Sequence, residues 1–466
     1  MSIPAFPDLP AHFRFGAATA AYQIEGAHDE DGRGPSIRDT YSHTPGRTVG
    51  RATGDTACDH CHRYPEDVAL LRDLGVDDYR FSISWPRLLP QGTGPVNPKG
   101  LDFYDRLIDE LLAADIAPAV TLYHWDLPQA LEGRGGWRVR ESAEAFAEYA
   151  AVAAERYGDR VERWITLNEP FCSAFVGYAD GRHAPGAREG RGALAAAHHL
   201  LVGHGLAVRE LRAAGAREVG IILNLDRLHA VSDSPEDLAA LRRAEVLHNE
   251  VWTEPLFTGR YPEHEAETWE GLADGPWRRP GDLELIGAPL DFVGINFYRP
   301  IAIAAAPRRE DVPAPRTAVD IGVTEPNPYG TRLTTMGWPV VPSAFTELLC
   351  DLHSRYPQLP PLWITENGSA EADRVTPDGR VHDAERIDYL ADHLAAVADA
   401  VAAGVDVRGY YVWSLLDNFE WARGYEQRFG MVHVDYDTLT RTPKDSYHWY
   451  RGLITAHRAR MEEPAR

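Results

Sequence analysis

Two segments of the 466-residue chain place a glutamate directly after a run of apolar side chains. Residues 164–170, WITLNEP, end in Asn168, Glu169 and a proline, and residues 362–368, LWITENG, carry Glu366 after a similar run. Runs of this composition predict buried β-strands. A single glutamate after a strand is more often a solvated loop residue, but the recurrence makes Glu169 and Glu366 a candidate catalytic pair.

A pair of carboxyl groups facing each other across a cleft can divide the work of breaking a glycosidic bond. If their surroundings separate their pKa values, one carboxylate stays ionised as a nucleophile and the other keeps a proton for the leaving group. Metal binding is the alternative use of paired carboxylates, but it would need further His or Asp ligands, and the sequence has no H-E-x-x-H motif. The pattern therefore favours glycoside hydrolysis without a metal or another cofactor.

Side chains suited to binding sugars follow several other apolar runs. Aromatic rings complement the C–H faces of a pyranose, and amide, imidazole and carboxylate groups bind its hydroxyls. Any one such residue is more often structural, but their joint occurrence after successive runs predicts a carbohydrate pocket. The residues concerned are Gln23, His124, Trp125, Asn296, Tyr298, Trp413, Glu420 and Trp421.

Eight apolar runs alternate with amphipathic helical segments along the chain. The runs cover residues 13–19, 77–83, 117–123, 164–169, 219–225, 291–298, 362–367 and 407–415, and clear helical segments cover 65–75, 100–116, 141–158 and 383–404. Such alternation predicts an α/β fold with a parallel sheet, and eight strands are the number that closes into a (β/α)8 TIM barrel. The carboxyl ends of all eight strands would then meet at one mouth, where the candidate residues are expected.

An open, doubly wound sheet is the main alternative fold. The sequence has no G-x-G-x-x-G after its first run, which removes the commonest sign of a nucleotide-binding version. We find no segment typical of a domain linker, so we predict one catalytic domain over residues 1–466, with a core from about 13 to about 450 and extended loops after the strands. The proline-rich segment 299–328 is predicted to be one of these loops, at the barrel entrance.

The composition argues against several classes of protein. Hydrophobic residues make up 44% and charged residues 25% of the chain, as in ordinary globular proteins. The formal net charge of −23 disfavours binding to nucleic acid and to anionic membranes. Neither a signal peptide nor an apolar window of membrane-spanning length is recognisable, and four cysteines are too few for a disulfide framework. We therefore expect a cytoplasmic protein whose partner is a small-molecule substrate.

At the level of whole motifs, the chain resembles glycoside hydrolase family 1, the β-glucosidase family. The motifs are AAYQIEG, YRFSISWPR, YHWDLPQAL, TLNEP, ITENG and SLLDNFEWARGYEQRFGMVHVDY, and the match extends from about Phe13 to about Tyr450. The resemblance implies a (β/α)8 barrel that hydrolyses β-glycosides with retention of anomeric configuration, through a covalent glycosyl-enzyme. It implies Glu169 as the general acid/base and Glu366 as the nucleophile, with carboxyl groups about 5–5.5 Å apart as in retaining enzymes generally.

The same resemblance implies roles for the surrounding residues. Asn168 is expected to hold the 2-hydroxyl of the sugar, and Arg80 and Tyr298 are expected to flank Glu366 and favour its ionised form. The pKa of Glu169 is expected to be raised by burial and by the charge of Glu366. The outer hydroxyls are assigned to Gln23, His124, Glu420 and Trp421, the sugar face to Trp413, the aglycone side to Trp338, and supporting positions to Asn296, Trp125 and Phe429.

The residue at position 420 indicates which sugars are accepted. Members that hydrolyse 6-phosphorylated sugars typically carry a small hydroxyl residue here, with a lysine and a tyrosine nearby, whereas this chain has Glu420. A carboxylate repels phosphate and binds free hydroxyls, so an unphosphorylated glycone is predicted: glucose first, with galactose or fucose as side activities. Cellobiose, short cello-oligosaccharides and aryl or alkyl β-glucosides are the expected substrates. A transglycosylase and a catalytically silent sugar-binding barrel remain alternatives, although the presence of both glutamates argues against the second.

Two segments depart from the family pattern. Residues 58–62, CDHCH, match the C-x-x-C-H motif of c-type haem attachment and could also form a redox pair or part of a zinc site. No second cysteine pair follows at zinc spacing, so we predict structural thiols, with Cys61 replacing a usual tyrosine just before a helix. Arg38 stands where the family commonly has tryptophan, and we expect it near the cleft rim, where it would affect aglycone preference.

Overall fold

The computed structural model describes residues 7–270, 273–307 and 318–462. Eight parallel strands form a closed barrel, and each overlaps one of the eight predicted runs. The strands are β1 (Arg14–Ala18), β2 (Asp78–Ser82), β3 (Ala117–Tyr123), β4 (Arg163–Asn168), β5 (Glu218–Asn224), β6 (Phe292–Asn296), β7 (Leu362–Asn367) and β8 (Val407–Trp413). Their order around the barrel follows the chain, and β8 pairs with β1. The predicted (β/α)8 fold is confirmed, and the open-sheet alternative is wrong.

Helices surround the barrel. In Pro98–Ala113 the buried residues recur every three or four positions, at Phe103, Leu107 and Leu111 among others, so one face packs inwards. The α-helices are Ala21–Ile24, Ile37–His43, His60–Leu74, Trp85–Leu88, Pro98–Ala113, Gln129–Glu132, Arg140–Tyr157, Gly190–Ala213, Pro235–Glu245, Val251–Phe257, Glu265–Trp269, Asp282–Ile286, Ser343–Arg355, Ala384–Ala402 and Asp445–Glu462. Short 3-10 turns lie at Val49–Arg51, Gly136–Arg138 and Trp421–Arg423, and π-helical turns at Cys172–Asp180 and Val246–Glu250. In the described ranges, no helix combines the length and the apolar character needed to cross a membrane.

The helix predicted at 65–75 begins five residues earlier than the sequence indicated. It spans His60–Leu74, with Pro65 in its interior. Proline removes one backbone hydrogen bond from a helix, but the His60 ring lies 2.8 Å from Asp67 Oδ2 across two turns, and Arg441 binds the same carboxylate. These buried contacts stabilise the additional turn.

Large side chains fill the amino-terminal end of the barrel. Phe292 and Trp363, near the starts of β6 and β7, belong to one buried cluster with Tyr411 of β8. The Arg163 guanidinium, at the start of β4, lies 3.6 Å from the centre of the Trp363 ring and donates to the Tyr411 hydroxyl at 2.8 Å. Because this end is a packed core, a ligand would bind at the carboxyl ends of the strands.

The segment 299–328 is only partly a loop. Ile301–Ala305 forms a strand that pairs in parallel with Leu228–Ala230 and antiparallel with Val323–Thr324, and its apolar side chains pack against a neighbouring helix. The prediction of one continuous loop is therefore wrong, because a short apolar strand lies between Pro300 and the later prolines. Residues 308–317, also part of the predicted loop, lie outside the described residues.

Candidate active site

Glu169, directly after β4, and Glu366, near the end of β7, are linked through a residue of the intervening strand β6. Asn296, the last residue of β6, pairs in register with Glu366. Its Nδ2 donates to Glu169 Oε1 at 2.6 Å and to Asn168 Oδ1 at 3.1 Å. Both glutamates are buried. The structure thus brings them to the same level of the barrel mouth.

Glu366 lies between a cation and a phenol. Arg80, on β2 and fully buried, donates from Nη1 to Glu366 Oε1 and from Nη2 to Asn168 Oδ1, both at 2.6 Å. The Tyr298 hydroxyl donates to Glu366 Oε2 at 2.7 Å. Each oxygen of this carboxylate therefore accepts a hydrogen bond that favours its ionised form.

The two carboxyl groups differ in their electrostatic surroundings. Burial, followed by the charge of Glu366, raises the pKa of Glu169 to about 8, against opposing hydrogen bonds from Asn296 and Cys172. Burial also raises the pKa of Glu366, but the charge and hydrogen bond of Arg80 oppose that shift, as does the Tyr298 hydroxyl. The surroundings therefore favour the carboxylate form at Glu366 and the protonated form at Glu169.

Three residues at the mouth adopt a left-handed backbone conformation that residues other than glycine rarely take. Their φ angles are 45° at Glu169, 71° at Trp125 and 45° at Trp421. Surrounding contacts hold two of them in place, because the Glu169 amide donates to Ile222 O at 3.0 Å and Trp125 Nε1 donates to Asn168 O at 2.8 Å. Such conformations cluster at functional sites.

Gln23 and His124 each keep one polar atom without a protein partner. Gln23 Nε2 donates to Asn418 Oδ1 and Phe419 O, both at 2.9 Å, while its buried Oε1 has no partner among the described residues. His124 Nε2 lies 3.2 Å from Asn168 Nδ2, and its Nδ1 has no partner in the same ranges. Burial lowers the pKa of His124, so its ring is neutral. A ligand rich in hydroxyls would satisfy these atoms.

Glu420 adds a third carboxyl group, partly exposed at the mouth. Desolvation, followed by the charge of Glu366, raises the pKa of Glu420 to about 8, while Arg38 and Arg423 lower it. A carboxyl group that titrates in this range can donate as well as accept a hydrogen bond. That property suits a pair of neighbouring sugar hydroxyls.

Aromatic rings line the mouth in two groups. Trp413, the last residue of β8, stacks with His124 at 5.9 Å between ring centres, and Trp421 stacks with the same imidazole at 5.9 Å. The second group has ring centres 5.3–6.1 Å apart and consists of Tyr298, Trp338 and Phe429. Trp338 is half-buried, so one part of its ring remains open to solvent.

Cys172 and His183 are neighbours of the site that the sequence did not reveal. The Cys172 thiol donates to Glu169 Oε2 at 3.2 Å. The sequence could have indicated this contact, because Cys172 follows Glu169 by three residues. The His183 ring lies 5.5 Å from Trp125 and 6.3 Å from Trp421 between ring centres. This contact joins segments far apart in the chain, so no local pattern could have indicated it.

Arg38 lies deeper than the cleft rim, where the sequence analysis expected it. It is buried, and its guanidinium carbon lies 4.0 Å from the centre of the Trp421 ring. Ser36 and Asp39 form a capping box that starts the helix Ile37–His43, so Arg38 falls in the first turn. The expectation of a rim position is wrong because that turn packs against the site.

The CDHCH segment is occupied by structural contacts. The buried Cys58 thiol donates to Asp417 O at 3.1 Å, and burial raises the pKa of both Cys58 and Cys61. His62 Nδ1 lies 2.6 Å from Asp59 Oδ1. Cys61 lies inside the helix His60–Leu74 and not before it, which corrects the sequence-based placement. These surroundings disfavour a reactive thiolate.

The chain matches a known family over nearly its whole length. The family model described as Glycosyl hydrolase family 1 matches residues 6–459. The chain belongs to this family. The thermostable β-glucosidase B of Thermobispora bispora is 50% identical over 461 residues, which cover 98% of this chain and 92% of the relative. The bifunctional β-D-glucosidase/β-D-fucosidase of Bifidobacterium breve is 46% identical over 464 residues, which cover 97% and 99%.

Solved structures of family 1 proteins share the fold. The crystal structure of a psychrophilic β-glucosidase from Micrococcus antarcticus matches with a TM-score of 0.93 at 48% identity, over 97% of this chain and 98% of that chain. A family 1 β-glucosidase from Thermotoga maritima, in complex with isofagomine lactam, matches with a TM-score of 0.92 at 44% identity, over 97% and 99%. The resemblance seen in the sequence motifs is confirmed, and the chain is a glycoside hydrolase.

Proposed function

We propose that this family 1 enzyme is a retaining β-glucosidase that removes terminal, non-reducing β-D-glucosyl residues from cellobiose, short cello-oligosaccharides and aryl or alkyl β-glucosides. The observation that carries the proposal is the asymmetry of the carboxyl pair. Glu366 accepts hydrogen bonds from Arg80 and Tyr298, whereas the pKa of Glu169 is raised to about 8. Relatives named as β-glucosidases support the choice of glucose.

In the first step, Glu366 attacks the anomeric carbon while Glu169 donates its proton to the departing oxygen. A bond forms between the Glu366 carboxylate and the sugar, and the glycosidic bond breaks with its electron pair going to the leaving oxygen. Asn168 is held by Arg80 and Asn296, so its amide is fixed for the 2-hydroxyl of the sugar.

In the second step, water replaces the enzyme at the anomeric carbon. Formation of the ester removes the negative charge of Glu366, which is one of the two causes that raise the pKa of Glu169. Glu169 is then more readily ionised and takes a proton from the attacking water. The ester bond breaks, Glu366 recovers its charge, and the sugar leaves with its original configuration.

The glycone would be held by the polar and aromatic groups at the mouth. Gln23, His124 and Glu420 supply hydrogen-bonding atoms for the outer hydroxyls, with the Trp421 indole beside them, and Trp413 supplies a face for the ring. A phosphate on the sugar would be repelled by the charge of Glu366 and would raise the pKa of Glu420 further, so we propose an unphosphorylated glycone. Trp338, half-buried beside Tyr298, would contact the aglycone.

The experiment that tests this function is hydrolysis of 4-nitrophenyl β-D-glucoside, with NMR of the first sugar anomer released. The wild-type enzyme is expected to release β-glucose first. Glu366→Gln is expected to lose activity by on the order of 10⁴-fold or more, since the nucleophile is removed. Equal rates for the two proteins, or α-glucose as the first product, would refute the proposal.

We also propose a side activity on β-fucosides or β-galactosides and a cytoplasmic location. One relative is named as both a glucosidase and a fucosidase. The four cysteines are free, which agrees with a reducing compartment. Rates on a panel of 4-nitrophenyl glycosides are expected to be highest for the glucoside, with lower rates for the fucoside and the galactoside. The 6-phosphoglucoside should be the poorest substrate, and efficient hydrolysis of it would contradict the role given to Glu420.

A further inference from the structure

Seven arginines are buried in the described part of the chain, and six of them pair with a carboxylate. The six pairs are Arg33–Asp39, Arg80–Glu366, Arg87–Glu25, Arg163–Asp78, Arg386–Asp373 and Arg441–Asp67. Arg38 is the exception, since it forms no ion pair with any carboxylate of the described residues. A buried charge without a counter-ion is costly, so this position needs an explanation.

The protein holds the Arg38 side chain firmly but leaves part of it unsatisfied. Its Nε donates to Trp125 O at 3.2 Å, and its guanidinium carbon lies 4.0 Å from the ring centre of Trp421 and 5.1 Å from that of Trp125. Stacking on indole rings recovers some of the cost of burial. The buried Nη2 has no hydrogen-bond partner within the described residues. The guanidinium is thus oriented and charged, and its buried Nη2 lacks an acceptor in the described ranges.

The groups around Arg38 place it beside the reacting centre. It packs on Trp421, which directly follows Glu420 in the chain, and on Trp125, whose Nε1 donates to the carbonyl oxygen of Asn168 beside Glu169. Its charge also acts on the carboxyl group of Glu420 and on the Cys172 thiol. That thiol donates to Glu169, the residue that protonates the leaving oxygen. Arg38 therefore lies where the sugar pocket meets the leaving-group side.

We propose that Arg38 binds a carboxylate carried by the aglycone, so that the preferred substrates are β-glucosides of carboxylated alcohols or phenols. The planar guanidinium offers paired donors that match a carboxylate, and one negative charge would neutralise the unpaired cation. An anion on the sugar itself is disfavoured, because the charge of Glu366 already acts on the sugar pocket, where it helps to raise the pKa of Glu420. This inference rests on the proposed β-glucosidase function.

Matched neutral and anionic substrates test the inference. The ortho, meta and para carboxyphenyl β-D-glucosides would each be compared with the corresponding carboxamide, and glucose release would give kcat/KM for both. In the wild-type enzyme, at least one carboxylate isomer is expected to exceed its carboxamide by about tenfold or more. Arg38→Gln is expected to abolish this advantage, while Arg38→Lys keeps part of it. The carboxylate and the carboxamide are different leaving groups. Their effect on the ratio of the two kcat/KM values cancels when the ratio of a variant is divided by that of the wild type.

Arg182→Gln is the matched control, because its side chain is 72% exposed and lies next to His183 in the chain. This variant removes a positive charge near the entrance without touching the buried guanidinium. It is expected to leave the carboxylate-to-carboxamide ratio within about twofold of the wild type. A ratio that falls equally in Arg182→Gln and Arg38→Gln would assign the effect to general electrostatics and overturn the inference.

The outcomes separate this inference from the function on which it rests. Failure of the wild type to hydrolyse 4-nitrophenyl β-D-glucoside and all of the carboxyphenyl and carboxamidophenyl glucosides would refute the β-glucosidase function. Hydrolysis of the carboxamides with no carboxylate advantage at any ring position would refute the role of Arg38 alone, even if Arg38→Gln did not fold. Arg38→Gln could also lose hydrolysis of 4-nitrophenyl β-D-glucuronide while it keeps the wild-type ratio of carboxylate to carboxamide kcat/KM. That result would show that Arg38 binds an anion on the sugar, and it would overturn the inference about the aglycone.

Discussion

Glu169 and Glu366 are the same side chain in two different surroundings at one barrel mouth. Burial raises the pKa of both. The difference arises from their neighbours, because Glu366 contacts the cation of Arg80, whereas Glu169 contacts the uncharged Asn296 and Cys172. In the proposed mechanism, this difference places the proton on Glu169 and the nucleophilic charge on Glu366.

The first prediction concerns the pH dependence of hydrolysis. Glu169 must be protonated to assist a poor leaving group, so kcat/KM for an alkyl β-glucoside is expected to fall as pH rises through about 8. A dinitrophenyl glucoside needs little assistance and should show a weaker fall. Since the pKa of Glu420 is also raised to about 8, Glu169→Gln is the control. If the fall of kcat/KM at high pH is equally large in Glu169→Gln, the titrating group is Glu420, and the role given to Glu169 is wrong.

The second prediction concerns the thiol beside the acid. The hydrogen bond from Cys172 lowers the pKa of Glu169, so Cys172→Ala is expected to move the basic limb of kcat/KM to higher pH, with kcat changed less than about threefold. Cys350→Ala is the matched control, because that thiol lies on the helix Ser343–Arg355 outside the site. If kcat/KM of Cys172→Ala falls at the same pH as in the wild type, or at a lower pH, the thiol does not lower the pKa of Glu169.

At the scale of elements, the ends of β7 and β8 approach each other closely where the site forms. A Cβ atom at Gly368 would lie 1.9 Å from the carbonyl oxygen of Trp413. The pairing of β7 with β6 is irregular between Ile364 and Glu366, one residue before the strand ends. The glycine of ITENG therefore permits the approach that sets Glu366 relative to the ring of Trp413.

A substitution at this close approach is expected to disturb both stability and catalysis. In Gly368→Ala the methyl group must separate two backbone segments, which should cost about 1–3 kcal/mol of unfolding free energy and lower kcat on 4-nitrophenyl β-glucoside. Gly452→Ala is the control, because nothing lies within 4 Å of its Cβ position and the residue is inside the helix Asp445–Glu462. That variant should be as stable as the wild type or slightly more stable. Urea unfolding and kcat measurements would check both, and a fully active, fully stable Gly368→Ala would contradict the argument.

At the scale of the whole molecule, barrel closure ties the two ends of the chain together. Ala18 of β1 pairs with Trp413 of β8, and the Tyr447 hydroxyl on the last helix donates to Leu70 O at 2.7 Å. The buried ammonium of Lys444 binds Asp417 at 2.7 Å and pairs with Asp373 as well. We infer that residues from about 13 to about 450 unfold as one unit, because no part of the barrel closes without the others.

Lys444→Met tests that inference. Without the ammonium, Asp373 keeps only Arg386 and Asp417 keeps only Arg428 as a cationic partner among the described residues. Because these carboxylates are buried, the loss of one cation should lower the unfolding free energy by about 3 kcal/mol. Tryptophan fluorescence and far-UV circular dichroism should report the same urea midpoint in both proteins. Lys99→Met, at an exposed ion pair, is the control and should show no measurable change. Two separate transitions would contradict a single folding unit.

The barrel could be predicted from the sequence because its strands are apolar runs that end at polar residues. The types and positions of Glu169 and Glu366 follow from the same pattern, since a strand end at a parallel barrel faces the mouth. The depth of Arg38 could not be predicted, because it depends on Trp125 and Trp421, which are distant in sequence. The strand Ile301–Ala305 was missed because three of its five residues are alanine, which is depleted in strands.

Trapping the glycosyl-enzyme with a dinitrophenyl 2-deoxy-2-fluoro-β-glucoside, followed by mass spectrometry of the digested protein, would identify the nucleophile. The fluorine slows both steps and the good leaving group restores the first, so the ester should accumulate. One sugar per chain, attached to Glu366, is expected in the wild type and in Glu169→Gln. A label on another residue, or inversion of configuration with no label, would contradict the role given to Glu366.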